Sequence, residues 1–121
     1  MIVVLEGPDG AGKSTLAEYF KAKDWQIVHN DKPQPGEDLF ARFNEQLIEA
    51  VGSNKSTVFD RFYLSEPIYS EVMERECRLS QEDYNLFNTL ITLHKVKVII
   101  LLPPFDVCKK AWSARLEAEY V

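Results

Sequence analysis

Residues 2–6, Ile-Val-Val-Leu-Glu, are apolar without alternation and close on an acid. A run that is apolar on both faces predicts a buried parallel strand. A polar, glycine-rich segment from Gly7 to Gly12 follows, after which Leu16, Ala17 and Phe20 fall on one face of a helix predicted over 13–23. Trp25-Gln-Ile-Val-His29 predicts a second strand, and residues 30–38, with Pro33, Pro35 and Gly36, a loop. Phe40, Phe43, Leu47, Ile48 and Val51 recur at spacings of three and four, which predicts a helix over 38–51 that Gly52-Ser53-Asn54 ends. Thr57-Val-Phe-Asp60 is a short strand, again closing on an acid. Ser65 is placed to cap a helix running to about Cys77, with Pro67 tolerated in its first turn. Ser80-Gln-Glu-Asp83 has the form of a capping box opening a helix to about His94, with Tyr84, Phe87, Leu90 and Ile91 inward. Residues 96–102 give the clearest strand pattern in the chain; Pro103-Pro104 stops it, and a last helix is predicted from about Asp106.

The resulting order, βαβαβααβα, predicts an α/β fold with a parallel sheet covered by helices on both faces. No repeat, linker or low-complexity stretch interrupts it, so residues 1–121 are expected to form a single domain. The composition narrows the function. The chain is 45% hydrophobic and 27% charged, a globular balance, with a net charge of −5. That acidity argues against general nucleic-acid binding while leaving room for one local phosphate site. No apolar run reaches the length of about 20 residues that a membrane span needs. The two cysteines, Cys77 and Cys108, lack metal-ligand spacing and read as free thiols of a cytoplasmic protein.

The segment between the first strand and the first helix, Gly7-Pro-Asp-Gly-Ala-Gly12-Lys13-Ser14, fits G-x-x-x-x-G-K-[ST] in full. Gly7, Gly10 and Gly12 let backbone N–H groups, with those of Asp9 and Ala11, turn inward around phosphate oxygens. The helix that starts at Lys13 adds free amides and its dipole, and extends the cradle to Ser14 and Thr15. Lys13 has the reach for β- and γ-phosphates, and the Ser14 hydroxyl suits Mg²⁺. ATP and Mg²⁺ are therefore the expected cofactors.

Leu5-Glu-Gly-Pro-Asp-Gly-Ala-Gly-Lys-Ser-Thr15 resembles the opening of thymidylate kinases and related nucleoside and nucleotide kinases, which typically carry an acid in the loop, here Asp9. Asp60-Arg61-Phe62-Tyr63-Leu64-Ser65, with Tyr69 four residues on, is similar to an element that follows the third strand in that family. Leu102-Pro-Pro104 and the helix bearing Arg115 resemble the start of the family's lid. The resemblance implies a P-loop sheet of order 2-3-1-4 and phosphoryl transfer from Mg-ATP to a deoxynucleoside monophosphate such as dTMP. A deoxynucleoside acceptor and a non-catalytic ATP-binding module are the alternatives. By position, Asp9 would meet the acceptor side and Asp60 would sit near Mg²⁺. Arg61 would clamp phosphate, Arg115 would serve in the lid, and Tyr69 would pack on the deoxyribose. The residues alone leave other readings open: a structural ion pair for Asp60-Arg61, a core aromatic for Tyr69 and a surface salt bridge for Arg115.

The sequence also departs from the family. Only 27 residues separate His29 from Thr57, where the family builds its base pocket from a longer segment. Phe40, Arg42, Phe43 and Asn44 are the candidates to meet an acceptor base there, although the stripe that Phe40 and Phe43 share with Leu47 and Ile48 favours a core role for both rings. His29 and His94 have no partner suggested by spacing and read as structural or solvent-exposed. Kinases of this group usually carry a fifth strand beyond the fourth. Without it, the strand between Val96 and Leu102 would be a long apolar edge, so the expectation is that the chain is a fragment lacking the C-terminal part of the family fold, that a partner chain or homodimer covers the edge, or that a reduced fold buries it differently.

Overall fold

The computed structural model describes residues 1–8, 11–72, 74 and 76–102, with only the backbone of Tyr69. Four strands and four helices alternate in the expected order. They are β1 (Ile2–Glu6), α1 (Lys13–Ala22), β2 (Gln26–His29), α2 (Leu39–Gly52), β3 (Thr57–Asp60), α3 (Glu66–Val72), α4 (Gln81–Leu93) and β4 (Lys97–Ile100). All strand pairs are parallel and the sheet order is β2-β3-β1-β4, as the resemblance implied. β1 is central and every one of its residues is buried, which is why its sequence shows no alternation.

The two faces of β1 organise two cores. Ile2 and Val4 join Leu39, Phe43, Leu47 and Ala50 of α2, Phe59 of β3 and Phe87 of α4. Val3 and Leu5 join Ala17 of α1 and Val58 of β3, with Leu16, Phe20 and Trp25 packed against them. The first core is rich in aromatics. Phe87 is fully buried and meets the rings of Phe40, Phe43, Phe62 and Tyr63 at centroid distances of 5.4, 6.3, 5.8 and 5.1 Å.

The capping signals mark the helix starts. The Asp38 carboxylate accepts from Ala41 N–H at 3.0 Å, and the Ser80 hydroxyl from Asp83 N–H at 3.0 Å. One expected cap is corrected. Ser65 lies in a 3₁₀ turn, Tyr63–Ser65, and the helix that follows ends at Val72 instead of reaching Cys77. Its hydroxyl sits 3.4 Å from the Phe62 carbonyl, so it closes the turn and does not cap a helix.

β4 is shorter than the predicted 96–102 and pairs only with β1, so it is an edge among the described residues. Ile100 and Leu102 are exposed. No described helix is long and apolar enough to cross a membrane. Cys77 is free and exposed; Cys108 and the predicted last helix lie outside the described residues.

Candidate phosphate site at the strand ends

The ends of β1 and β3 come together beside the glycine-rich loop. β1 leads into that loop, and its neighbours continue past it on either side. Arg61 N–H donates to Leu5 O at 2.9 Å, and Leu101 N–H donates to Glu6 O at 2.8 Å. Parallel α/β sheets bind ligands beyond such strand ends. Gly7 is required where β1 leaves the sheet. Its φ is +152°, and a Cβ there would lie 2.6 Å from Leu101 O. Gly12, at φ +89°, makes the left-handed turn that starts α1.

Lys13 is buried and turned back over the loop. Its Nζ donates to Gly7 O at 2.7 Å and Pro8 O at 2.9 Å. Gly12, Ser14 and Thr15 are exposed and Ala11 is half-buried, at the N-terminal end of α1. Asp9 and Gly10 lie outside the described residues, as does Arg115, and the side chain of Tyr69 is likewise not described.

Asp60 and Arg61 form the second part of the site. Arg61 has φ +72°, a left-handed backbone that only glycine adopts freely. Its conformation is held from three directions. Leu5 O takes its N–H, Asn30 Nδ2 donates to its carbonyl at 2.8 Å, and Glu6 Oε1 accepts from the next amide, Phe62 N–H, at 2.8 Å. Glu6 is a buried carboxylate, and burial raises its pKa above the ordinary range. The Phe62 amide, the Ser65 hydroxyl and the charges of Arg61 and Lys13 oppose that rise. The His29 ring reaches Asp60, Nδ1 to Oδ2 at 3.1 Å.

The donors expected for Mg²⁺ are the Ser14 hydroxyl and the Asp60 carboxylate. Both are hard oxygen ligands, the donor chemistry that suits Mg²⁺, and the Asp60 side chain is 14% exposed. Among the described residues, no group of three or more His, Cys, Asp and Glu is arranged to hold a metal ion alone.

Residues 31–38 lie in the loop between β2 and α2. Glu37 accepts from Arg42 Nε at 2.8 Å and from Gln34 N–H at 2.9 Å, and Arg42 Nη2 also pairs with it. The Arg42 guanidinium beside Glu37 brings the carboxyl down to about 2. Arg42 Nη1 donates to Asp31 O, so the guanidinium is committed to holding this loop. Phe43 is buried in the core, and Phe40 is half-buried against Phe87, so these rings follow the core stripe. On α4, Tyr84 packs on Tyr63, whose hydroxyl donates to Asn88 Oδ1.

Glu6 stands at the strand end where its sequence position puts it, whereas His29 and Asn30 join this corner without a motif that marks them. A signal for His29 existed. β2 and β3 are both four residues long before the turn, and adjacency in the sheet puts His29 opposite Asp60.

No protein-family model matches the chain, and no curated protein matches it. Solved structures do. A Bacillus subtilis YorR protein, in complex with phosphorylated GDP, superposes with a TM-score of 0.78 and 27% identity, covering 95% of this chain and 67% of that one. Deoxyadenosine kinase from M. mycoides with bound dATP gives a TM-score of 0.56 at 22% identity, over 95% of this chain and 72% of that one. The same kinase with products bound gives 0.56 at 21% identity. On about two-thirds of the YorR protein's length, the chain carries the fold of P-loop nucleoside and nucleotide kinases.

Proposed function

We propose that the chain transfers the γ-phosphoryl group of Mg-ATP to a deoxynucleoside monophosphate such as dTMP. The observation that carries the reading is the junction of a complete phosphate loop with Asp60-Arg61 on the neighbouring strand, tied by Arg61 N–H to Leu5 O at 2.9 Å. Phosphoryl transfer depends on positioning and charge neutralisation more than on a nucleophilic side chain. Cations and a carboxylate at adjoining strand ends meet that need. The YorR protein's complex with a phosphorylated nucleotide supports a nucleotide ligand.

An oxygen of the acceptor's phosphate attacks the γ-phosphorus, the bond from that phosphorus to the β–γ bridging oxygen breaks, and ADP and a deoxynucleoside diphosphate leave. Lys13 exchanges Gly7 O and Pro8 O for β- and γ-phosphate oxygens. Gly7, Gly10, Ala11 and Gly12 supply the backbone cradle, which Thr15 extends. Mg²⁺, when bound by Ser14 and Asp60, neutralises charge on the phosphates. Arg61 clamps the phosphate in transit, and Arg115 serves as a lid cation. Asp9 and Tyr69 are assigned to the acceptor sugar by their places in the sequence motifs. Arg42 shapes the acceptor side through the loop that it ties to Glu37.

A panel of deoxynucleosides and their monophosphates with Mg-ATP tests the reading. One monophosphate is expected to gain phosphate. Phosphate gained only by a nucleoside establishes a deoxynucleoside kinase, and ATP binding without transfer to any acceptor establishes a binding module. Tyr69→Ala is expected to relax discrimination against ribonucleotides; an unchanged preference removes the sugar contact from the account.

A further inference from the structure

We infer that the carboxyl end of β2 positions the phosphate corner, with His29 orienting the Asp60 carboxylate and Asn30 fixing the Arg61 backbone. The inference rests on the kinase reading of Asp60 and Arg61, and it extends that reading to two residues outside both motifs.

The sheet register sets His29 directly opposite Asp60. The His29 Nδ1 lies 3.1 Å from Asp60 Oδ2. A carboxylate oxygen only accepts, so Nδ1 carries the proton and donates. The ring is 56% exposed whereas the Asp60 side chain is 14% exposed. The histidine therefore contributes little to the core, and its main contact is with the carboxylate. Holding one oxygen fixes the torsions of Asp60 and, with them, the place of its second oxygen, as partners of ligating groups do at metal sites.

Asn30 acts one residue further on. Its side chain is buried and bonded at both ends: Nδ2 donates to Arg61 O at 2.8 Å, and Oδ1 accepts from Gln46 Nε2 at 2.8 Å. Its own N–H donates to Asp60 O at 3.1 Å. With Leu5 O taking the Arg61 N–H, both backbone polar groups of a left-handed arginine are held, one from β1 and one from the end of β2. The guanidinium thus springs from a backbone whose direction is set on both sides.

The test compares wild type with His29→Ala, His29→Asn and His29→Gln in steady-state phosphoryl transfer and in urea unfolding. Asparagine carries its amide nitrogen near the place of Nδ1; glutamine carries it near Nε2. The alanine and glutamine variants are expected to lose about tenfold or more in kcat, the worth of one hydrogen bond to a charged group. Their KM for ATP and unfolding midpoint should stay at wild-type values, and asparagine should restore kcat. Full activity in His29→Ala overturns the inference, as does a loss that follows the unfolding midpoint across the three variants. Asn30→Ala is expected to lower kcat as well, but because Asn30 is buried, the decision rests on the exposed His29. A second readout needs no turnover. The chain has two histidines, His29 and His94, so ¹⁵N correlation spectra of the imidazoles resolve each. In its neutral form the His29 ring should be the Nδ1–H tautomer and should lose that preference in Asp60→Ala. An Nε2–H tautomer in wild type overturns the inference. Absence of transfer by wild type itself overturns the kinase reading, and the spectrum still decides whether His29 holds Asp60.

Discussion

Arg61 occupies a backbone conformation that costs an L-residue about 1–2 kcal/mol, and the residues around it are those that offset the cost. Glu6 is the most exposed to test. Its carboxylate is buried to hold Phe62 N–H, and burial raises its pKa above 4.5. Between 4.5 and that raised value the folded chain keeps a proton that the unfolded chain has released, so this group makes stability fall as pH rises through the window. Glu6→Gln keeps an acceptor for Phe62 and removes the titration. Urea midpoints measured across pH 4 to about 8 should therefore decline less for Glu6→Gln than for wild type; parallel profiles would contradict the assignment. Glu37 runs the other way. Its carboxyl is lowered to about 2 by Arg42, so its contribution to this loop is complete above 4.5 and is lost as pH falls from there through about 2. A carboxyl ¹³C titration is expected to show this low midpoint, returning to the ordinary range in Arg42→Ala.

At the scale of elements, α4 holds the first core together through one ring. Phe87 is fully buried against Phe40, Phe43, Phe62 and Tyr63. Phe87→Ala is expected to destabilise the fold by about 3–5 kcal/mol, read as a lower urea midpoint with the slope unchanged. A shift smaller than about 1 kcal/mol would show that the cluster repacks. The inward stripe of α4 was legible because its spacing is regular and Ser80 marks its start. The loop motif was legible because its chemistry is local, with eight consecutive residues from Gly7 to Ser14. The end of α3 was not, since a helix whose first turn is replaced by a 3₁₀ turn shows little periodicity. Nor was the loop of residues 31–38. The pairing of Arg42 with Glu37 spans an irregular loop, and only the folded loop shows that the guanidinium is already engaged. The His29–Asp60 contact depends on the order of strands, which no local pattern encodes; it follows only once β2 is set beside β3.

For the whole molecule, the sheet places three strand ends with chemistry side by side: β2 with His29, β3 with Asp60, and β1 with Glu6 and the phosphate loop. This is the arrangement that the order β2-β3-β1-β4 makes possible, since β3 lies between the other two. The same order leaves β4 at an edge among the described residues, with Ile100 and Leu102 exposed. The site can be assembled from the described strands, but turnover asks in addition that water be kept from the γ-phosphate. Transfer of labelled γ-phosphate from Mg-ATP to a panel of deoxynucleoside monophosphates and deoxynucleosides, by wild type and by Lys13→Ala, is the most direct measurement. Wild type is expected to transfer phosphate to one monophosphate, and Lys13→Ala to none. Transfer to no acceptor by the folded wild-type chain, or equal transfer by Lys13→Ala, would contradict the kinase reading.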